Sequence, residues 1–382
     1  MVFVPRDYQA KVIEDARIAL RRVKRVLIQL PTGGGKTVVA ALIAHGVVER
    51  GNTLSFLCHR DFLVDQTSKT FAANDIDHSF VASGRWHNPY TPVHVCMIPT
   101  LRNRLSKATA PKVAIWDECH HIGAKTWHTI MEEWPDTIHI GLSATPVRLD
   151  GKGLDAYFDE MVIGPTVHHL IEIGALSKYR AFAPSTPDMT GIHTRMGDYK
   201  HDEIDAQMDR SVIIGDMVGH YKRLCPGSRA VYFCVSINHS KHVANTFMSN
   251  GVSCLHLDGE SSTMERREAA VRMAKGDLQV MTNVDLFGEG YDLSAQAEMD
   301  VTIETVGMAR PTQSFALYRQ QVGRGLRPKD NPAIILDHAG NIARHGLPDD
   351  EVEWTLRGVE KKGNASTTQM CVNCFAMFPK GL

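Results

Sequence analysis

The amino-acid sequence predicts an α/β protein with two tandem domains, each built around a parallel sheet. The chain has 382 residues, which is more than one hydrophobic core usually organises. In both halves, short apolar runs alternate with longer helical stretches, as strands alternate with helices in a parallel sheet. A glycine-rich stretch joins the first apolar run to a helix. Because parallel sheets bind ligands at the carboxyl ends of their strands, the loops at those ends are the places to look for function.

Composition excludes several classes of protein. A hydrophobic content of 43% and a charged content of 22% are typical of an ordered globular chain. Lysine and arginine (42) balance aspartate and glutamate (43), so a polyanion would have to be bound by a local basic groove. No apolar run is long enough to cross a membrane, and Arg6 and Asp7 stand where a signal peptide needs apolar residues. Six of the eight cysteines are scattered singly, and we expect a cytosolic protein with reduced thiols.

The first domain is predicted at residues 1–180. Its first strand is expected at 26–30, followed by a glycine loop and a mostly buried helix at 36–50. Further apolar runs predict strands at 54–57, 93–98, 113–116 and 138–142.

A linker is predicted at residues 181–209, because this stretch contains several prolines and glycines and many charges but has no clear period. The second domain follows at 210–345, with strands expected at 230–235, 278–282, 300–304 and 333–336 and a helix at 240–250. Residues 346–382 form a tail.

The glycine loop between the first strand and its helix predicts a phosphate-binding site. Its backbone amides can turn toward a phosphate chain, and the helix that follows directs its positive end to the same place. Lys36 would neutralise the β and γ phosphates of ATP, and the hydroxyl of Thr37 would bind Mg²⁺. The strict Walker pattern is broken, since Leu30 occupies the position of its first glycine. The loop residues are Pro31, Thr32, Gly33, Gly34, Gly35, Lys36 and Thr37.

Two adjacent carboxylates follow the predicted strand at 113–116. Asp117 suits the Mg²⁺ shell, and Glu118 would orient and deprotonate the attacking water. An isolated Asp-Glu pair is more often a solvated strand end. Beside a phosphate loop, the catalytic interpretation is favoured.

These stretches resemble the motifs of superfamily 2 helicases. Pro-Thr-Gly-Gly-Gly-Lys-Thr at 31–37, Asp-Glu-Cys-His at 117–120 and Ser-Ala-Thr-Pro at 143–146 resemble motifs I, II and III, in that order. Residues 280–293 resemble motif V, and Gln-Gln-Val-Gly-Arg-Gly-Leu-Arg at 320–327 resembles motif VI. The resemblance covers almost all of residues 3–342 and is closest to RadD-like and phage-type DNA helicases. It implies two RecA-like P-loop domains that hydrolyse ATP between them.

The resemblance also implies roles for individual residues. Gln9 resembles the adenine-reading glutamine of the Q motif, with Arg6 stacking on the base, and Gly290 and Asp292 of motif V would line the nucleotide site. Gln320, Arg324 and Arg327 belong to motif VI, where the arginines act as fingers toward the γ phosphate. His120, Ser143 and Thr145 would couple the nucleotide state to the grip on the strand.

Candidate contacts to a nucleic acid strand follow from the same match. Arg60 resembles motif Ia, Thr100 motif Ib and Thr282 motif V. Taken singly, each of these residues could equally be a helix cap or part of a turn. The implied partner is DNA, single-stranded or branched, in replication, recombination or repair; RNA is not excluded by Asp-Glu-Cys-His.

The tail contains Cys371 and Cys374, which have half the spacing of a tetrahedral zinc site and resemble half of a zinc ribbon. No cysteine or histidine follows Cys374 in the sequence. Either the chain ends within a ribbon or an upstream histidine, such as His338 or His345, completes a Zn²⁺ shell.

The hypothesis with most support is an ATP-dependent motor that moves on or unwinds DNA. An RNA helicase is the alternative within the same class of enzyme. A nucleotide-gated clamp that grips nucleic acid without net movement is the alternative outside it.

Overall fold

A computed structural model describes residues 4–121, 125–148, 152–184, 187–195, 197–286, 293–359 and 368–380. The chain divides into two compact units. The first comprises residues 1–166 with 352–361, and the second comprises 167–351 with 362–382. In the part of the chain that the structure describes, no helix has the length and apolarity needed to cross a membrane.

The first unit is a parallel sheet flanked by helices. Seven strands pair in the order β3-β4-β2-β5-β6-β1-β7, and each pair is parallel. The elements in chain order are α1 (Asp7–Ala19), β1 (Arg25–Gln29), α2 (Lys36–Glu49), β2 (Leu54–Cys58), α3 (Asp61–Ala73), β3 (Ser79–Val81), β4 (Val93–Met97), α4 (Ile98–Arg104), β5 (Val113–Trp116), α5 (Lys125–Glu133), β6 (Ile138–Ser143) and β7 (Glu160–Ile163).

Burial explains why these segments form the sheet. All residues of β2 and β5 are buried, as expected for strands covered by helices on both faces. Helix α2 is apolar over most of its surface and packs its alanines and valines against the sheet. All carboxyl ends of the strands lie at one edge, so the loops after β1, β5 and β6 meet there with those after β2 and β4.

The second unit repeats this plan. Its sheet has the order β12-β13-β11-β14-β15-β8 and is also parallel. Its elements are α6 (Val167–Glu172), β8 (Tyr179–Phe182), β9 (Thr194–Arg195), β10 (Asp198–Tyr199), α7 (His201–Met208), α8 (Ser211–Leu224), β11 (Ala230–Phe233), α9 (Ile237–Ser249), β12 (Cys254–Leu257), α10 (Thr263–Lys275), β13 (Val280–Asn283), α11 (Leu293–Ala297), β14 (Thr305–Met308), α12 (Phe315–Gly325), β15 (Ala333–Asp337) and α13 (Asn341–His345).

The stretch predicted as a linker is structured along most of its described length. It contains the hairpin β9–β10 and helix α7, which buries Ile204 and Met208 in the core of the second unit. These two residues are one helical turn apart, and a single turn is too short a repeat to be recognised among the surrounding charges. The division between the units instead falls after Thr166, so β8 belongs to the second unit.

The tail contributes a hairpin to each unit. Strands β16 (Trp354–Thr355) and β17 (Gly358–Val359) pair in the first unit, where the Leu356 carbonyl accepts from the amides of Leu154 and Asp155 at 2.6 and 3.1 Å. Strands β18 (Thr368–Met370) and β19 (Met377–Pro379) pair in the second unit. The tail is therefore divided between both units.

Candidate active site

The phosphate loop has the backbone expected of a nucleotide cradle. Gly33 and Gly35 have φ values of 83° and 84°, in the left-handed region that glycine adopts without strain. Gly35 is the N-cap of α2, so the amino end of that helix opens directly onto the loop. The Tyr8 hydroxyl donates to the Gly34 carbonyl at 3.1 Å. Helix α1 thus holds the loop from outside.

Gln9 lies against this loop and is buried. Its Oε1 accepts from the Arg6 amide at 3.0 Å, which caps α1, while Arg6 itself is exposed. A Cβ added to Gly35 would collide with Gln9 Nε2. A side chain at position 35 would therefore displace Gln9, the predicted adenine contact.

Lys36 and Glu118 form an ion pair at the centre of the site. Their Nζ and Oε1 atoms are 3.1 Å apart, and the side chains are only 12% and 8% exposed. Glu118 has a φ of 48°, and its amide donates to Asp117 Oδ1 at 3.1 Å. Such a backbone conformation costs on the order of 1 kcal/mol or more for a residue other than glycine and is common at functional sites. It aims the carboxylate at the lysine of the loop.

The third motif joins this pair from β6. His120 Nδ1 is hydrogen-bonded to Ser143 Oγ at 3.1 Å and lies 3.5 Å from Glu118 Oε2. Ser143 Oγ also accepts from the Thr145 amide at 3.2 Å. All four side chains are buried. The structure thus places the predicted base against His120, and hydrogen bonds link His120 to Ser143 and Ser143 to the Thr145 amide.

The donors present suit Mg²⁺ bound together with a nucleotide. Thr37 and Asp117 are half-buried at the ends of α2 and β5, next to the ion pair. The described residues contain no group of three or more His, Cys, Asp or Glu side chains that could hold a metal alone. Mg²⁺ in phosphoryl-transfer sites uses one or two carboxylates and takes its other ligands from phosphates and water. A hydroxyl and one carboxylate beside a phosphate cradle fit that pattern.

In the second unit, the predicted motif VI residues lie on or after α12. Gln320 and Arg324 are buried and Arg327 is half-buried. Gly325 lets the helix approach β14 closely, since a Cβ there would be 2.9 Å from Val306 Cγ2. The predicted nucleotide contacts Gly290 and Asp292 lie outside the described residues.

Two of the three predicted strand contacts share a sheet edge. Arg60 follows β2, Thr100 lies in the first turn of α4 after β4, and both are half-buried. Thr282 is different, because it is fully buried in β13. Its hydroxyl donates to the Ser240 carbonyl and accepts from Ser240 Oγ, both at 2.9 Å. The predicted strand contact through this hydroxyl is therefore not supported.

The zinc prediction is also not supported. Cys371 and Cys374 lie in the turn between β18 and β19, but no third ligand joins them among the described residues. Hydrogen bonds from the backbone of Cys374 and Asn373 lower the pKa of Cys371. The candidate histidines are engaged elsewhere: His338 is buried near His220, and His345 stacks on Tyr318. Two cysteines at a zinc-site spacing were therefore not enough to predict a complete set of four ligands.

Sequence reasoning missed a row of histidine rings beside the site. The ring centroids of His120 and His121 are 4.3 Å apart, and those of His121 and His59 are 4.6 Å apart. His59 directly precedes Arg60. The row therefore connects the group around Glu118 with a candidate strand contact. Adjacent histidines at 120 and 121 were the only signal in the sequence.

A second missed feature is Arg310, which is buried two residues after the end of β14. It forms an ion pair with Asp285 and donates to His201 Nε2 at 2.9 Å. It lies 3.6 Å from Asp198 Oδ2. Arg310 thus fastens the β9–β10 hairpin and α7 to the loop after β13.

Comparisons with known proteins agree with this architecture. Residues 2–148 match the family described as "Type III restriction enzyme, res subunit", and residues 216–329 match "Helicase conserved C-terminal domain". A 51.5 kDa protein of a Lactococcus phage (isolate 7-9) is 32% identical over 359 residues, covering 92% of this chain and 75% of the phage protein.

Two further relatives are named for their activity. The putative ATP-dependent helicase IRC3 of Saccharomyces cerevisiae is 26% identical, and the match covers 87% of this chain but 51% of that protein. The chain thus spans about half the length of the yeast relative. The DNA 3'-5' translocase XPB2 of Sulfurisphaera tokodaii is 27% identical, with 87% of this chain and 80% of that protein covered.

Among solved structures, the ATP-dependent Type ISP restriction-modification enzyme LlaBIII bound to DNA contains a region of the same fold. The TM-score is 0.64 at 15% identity, and the match covers 87% of this chain and 27% of that one. The two parallel-sheet units are accordingly tandem RecA-like domains.

Proposed function

The chain belongs to helicase superfamily 2, and we propose that it is a DNA-stimulated ATPase that moves along a DNA strand. The observation that carries the proposal is the buried group formed by Lys36, Glu118, His120 and Ser143 beside the phosphate loop. Bound ATP with Mg²⁺ would supply the phosphoryl group that is transferred to water.

The chain's own residues define the steps around that transfer. A γ phosphate beside Lys36 competes with Glu118 for the lysine's positive charge. Glu118 is then available to orient the attacking water and accept its proton. Arg324 and Arg327 are assigned the stabilisation of charge on the γ phosphate, as the family resemblance implies. Thr37 and Asp117 would hold the metal ion.

His120 and Ser143 are assigned a coupling role. His120 contacts the Glu118 carboxylate and is hydrogen-bonded to Ser143, the last residue of β6. A movement of the carboxylate on nucleotide binding would therefore change the contacts of the Ser-Ala-Thr turn that follows. Arg60 and Thr100 lie at the same sheet edge and are assigned contacts to phosphates of the strand.

DNA is favoured over RNA by one relative, XPB2, which is named as a DNA translocase. A role in replication, recombination or repair and the narrower RadD-like resemblance stay predictions. A cytosolic location stays a prediction, and the free state of the described cysteines is consistent with it.

Steady-state ATP hydrolysis with and without nucleic acid tests the proposal. We expect single-stranded DNA to stimulate turnover more than RNA, and the stimulation to weaken as salt is raised because phosphate contacts release counterions. Glu118→Gln should lower turnover by roughly 10²- to 10⁴-fold, the usual effect of losing a general base, while ATP still binds.

Glu49→Gln is the matched control, since Glu49 is an exposed carboxylate at the other end of α2. It should hydrolyse ATP as the unmodified protein does. Turnover that no nucleic acid changes would favour the clamp, and stronger stimulation by RNA would favour an RNA helicase. Unchanged turnover in Glu118→Gln would refute the assigned chemistry.

A further inference from the structure

An exposed tryptophan lies on a well-anchored loop of the first unit. The loop joins β3 to β4, and Trp86 within it is 67% exposed. Burying an indole is among the larger hydrophobic gains available to a protein, so an exposed tryptophan on a fixed loop is unusual for a purely structural residue. No function assigned above uses it.

The backbone on both sides of Trp86 is held in place. Arg85 forms ion pairs with Asp61 and Asp65 of α3, and its guanidinium lies 5.7 Å from the centroid of the Phe80 ring. His87 Nδ1 hydrogen-bonds to the Phe80 carbonyl at 2.9 Å. The indole is therefore presented from a preorganised position, which reduces the entropy lost when a partner binds.

The anchors also locate Trp86 on the sheet. Asp61 is the first residue of α3 and directly follows Arg60, so Arg85 ties the loop to the carboxyl edge of β2. Past His87 the loop runs toward the opposite edge, where the Asn88 amide donates to Ser79 Oγ at 2.6 Å. Trp86 therefore lies on the β3 side of the edge that carries the candidate phosphate contacts.

The order of strands gives this edge two halves. The loops after β5, β6 and β1 carry the nucleotide residues, while the segments after β4 and β2 carry Thr100 and Arg60. Trp86 lies one strand further out than Thr100, beside β3.

The charge around Trp86 is compatible with a polyanion. From Ser83 to Thr91 the sequence contains no acidic residue, and Arg85 neutralises part of the charge of Asp61 and Asp65.

We propose that Trp86 is a base-stacking residue that holds an unpaired nucleotide of the DNA strand beside Arg60. Aromatic faces bind single-stranded nucleic acid by stacking, which needs an exposed ring and nearby phosphate contacts and is indifferent to base identity. The inference rests on the proposed function, and it names the part of the surface that an unpaired strand occupies.

Binding of a single-stranded oligothymidylate about 20 nucleotides long, without nucleotide, tests the inference. Trp86→Ala should raise the Kd roughly 5- to 150-fold, the range for loss of one base–aromatic stack. Trp86→Phe keeps a ring and should recover most of the affinity. In the unmodified protein the oligonucleotide should quench tryptophan emission, because Trp116, Trp127 and Trp134 are buried and Trp354 is partly buried. That quenching should be lost in Trp86→Phe although binding persists.

Tyr90→Ala is the matched control. Tyr90 is 93% exposed on the same loop, but it lies beyond Asn88, toward the other edge of the sheet. Ile163→Ala removes an exposed apolar side chain from β7, the strand at the opposite side of the same sheet. Both variants should bind the oligonucleotide as the unmodified protein does.

Unchanged affinity in Trp86→Ala would overturn the inference while leaving the proposed function intact, provided the unmodified protein binds and is stimulated by DNA. Equal losses in Trp86→Ala and Tyr90→Ala would also overturn it, because the effect would then not belong to the edge beside Arg60. An unmodified protein that binds no single-stranded DNA would overturn both proposals.

Discussion

At the scale of the residue, alanine substitutions at two glycines with positive φ distinguish the cost of backbone strain from the effect of a steric clash. Gly35 has a φ of 84° and faces Gln9, whereas Gly51 has a φ of 70° and open space around its Cα. Either alanine variant should lose about 1–2 kcal/mol of stability from strain. Only Gly35→Ala should also weaken ATP binding, since its methyl group displaces Gln9 from the loop. Thermal unfolding and nucleotide binding by the two variants measure this, and equal ATP affinity would count against the role of Gln9.

The histidine row makes a second prediction at this scale. His121→Ala removes the ring that lies between His59 and His120, and it should lower the ratio of DNA-stimulated to basal turnover. The expected loss is roughly 2- to 12-fold, which corresponds to the free energy of one aromatic contact. His121→Phe should restore most of the ratio. A proportional fall in basal and stimulated rates would instead point to a merely structural histidine.

The sequence was informative for residues that belong to a recognisable motif. It was uninformative for residues whose role depends on contacts with residues far away in the sequence. The proximity of Lys36 and Glu118 could be expected, because a lysine after a glycine loop and a carboxylate after a buried strand both lie at the carboxyl edge of a parallel sheet. The lack of support for the predicted strand contact at Thr282 has a physical cause, since a hydroxyl at the end of a strand points either to the ligand edge or into the helix behind it. Helix α9 brings Ser240 to it, and such a contact across 42 residues leaves no local pattern.

At the scale of the element, β6 carries a buried histidine that makes the first unit sensitive to acid. Trp116 Nε1 donates to His139 Nδ1 at 3.1 Å, and His139 Nε2 hydrogen-bonds to the Trp134 carbonyl. Burial lowers the pKa of His139 to about 4, from an ordinary value near 6.5. Between these two values the unfolded chain takes up a proton that the folded chain does not, so stability falls as pH falls through this window.

We expect unfolding in urea, followed by tryptophan fluorescence, to show a loss of about 1 kcal/mol on going from pH 7.5 to pH 5.5 from this residue. His139→Gln can keep both hydrogen bonds without titrating, and its acid sensitivity should be smaller. Burial also lowers the pKa of His338 in the second unit to about 3, so some sensitivity will remain. Identical pH profiles for the two proteins would contradict the assignment.

The strand predicted at 300–304 differs from the observed one because a local hydrogen-bonded contact takes the place of sheet pairing. Residues 300–304 alternate as a strand should, yet the strand is β14, which begins at Thr305. Val301 exchanges hydrogen bonds with Ser294 Oγ at 3.0 and 3.3 Å instead of joining the sheet. Strands β3 and β7 went unpredicted because three or four residues at a sheet edge are too few to establish a period.

At the scale of the whole molecule, the hairpin β16–β17 belongs to the first unit although it follows most of the second unit in the sequence. A Cβ added to Gly153 would collide with the Leu356 carbonyl oxygen, so Gly153→Ala should detach the hairpin and destabilise the first unit by about 1–3 kcal/mol. Gly215→Ala is the control, since no neighbour lies near its Cα in α8. Thermal unfolding compares them, and equal stability would show that the hairpin contributes nothing.

The same hairpin sets an order of events during synthesis on the ribosome. The first unit otherwise ends at Thr166, but the strands that cover Gly153 lie roughly 190 residues further on, after nearly all of the second unit. At typical elongation rates of about 5–20 residues per second, this segment emerges roughly 10–40 s later. During that interval the nascent first unit presents the uncovered backbone of Leu154 and Asp155 to its surroundings, which gives a chaperone or a binding partner a period of access that the finished protein does not offer.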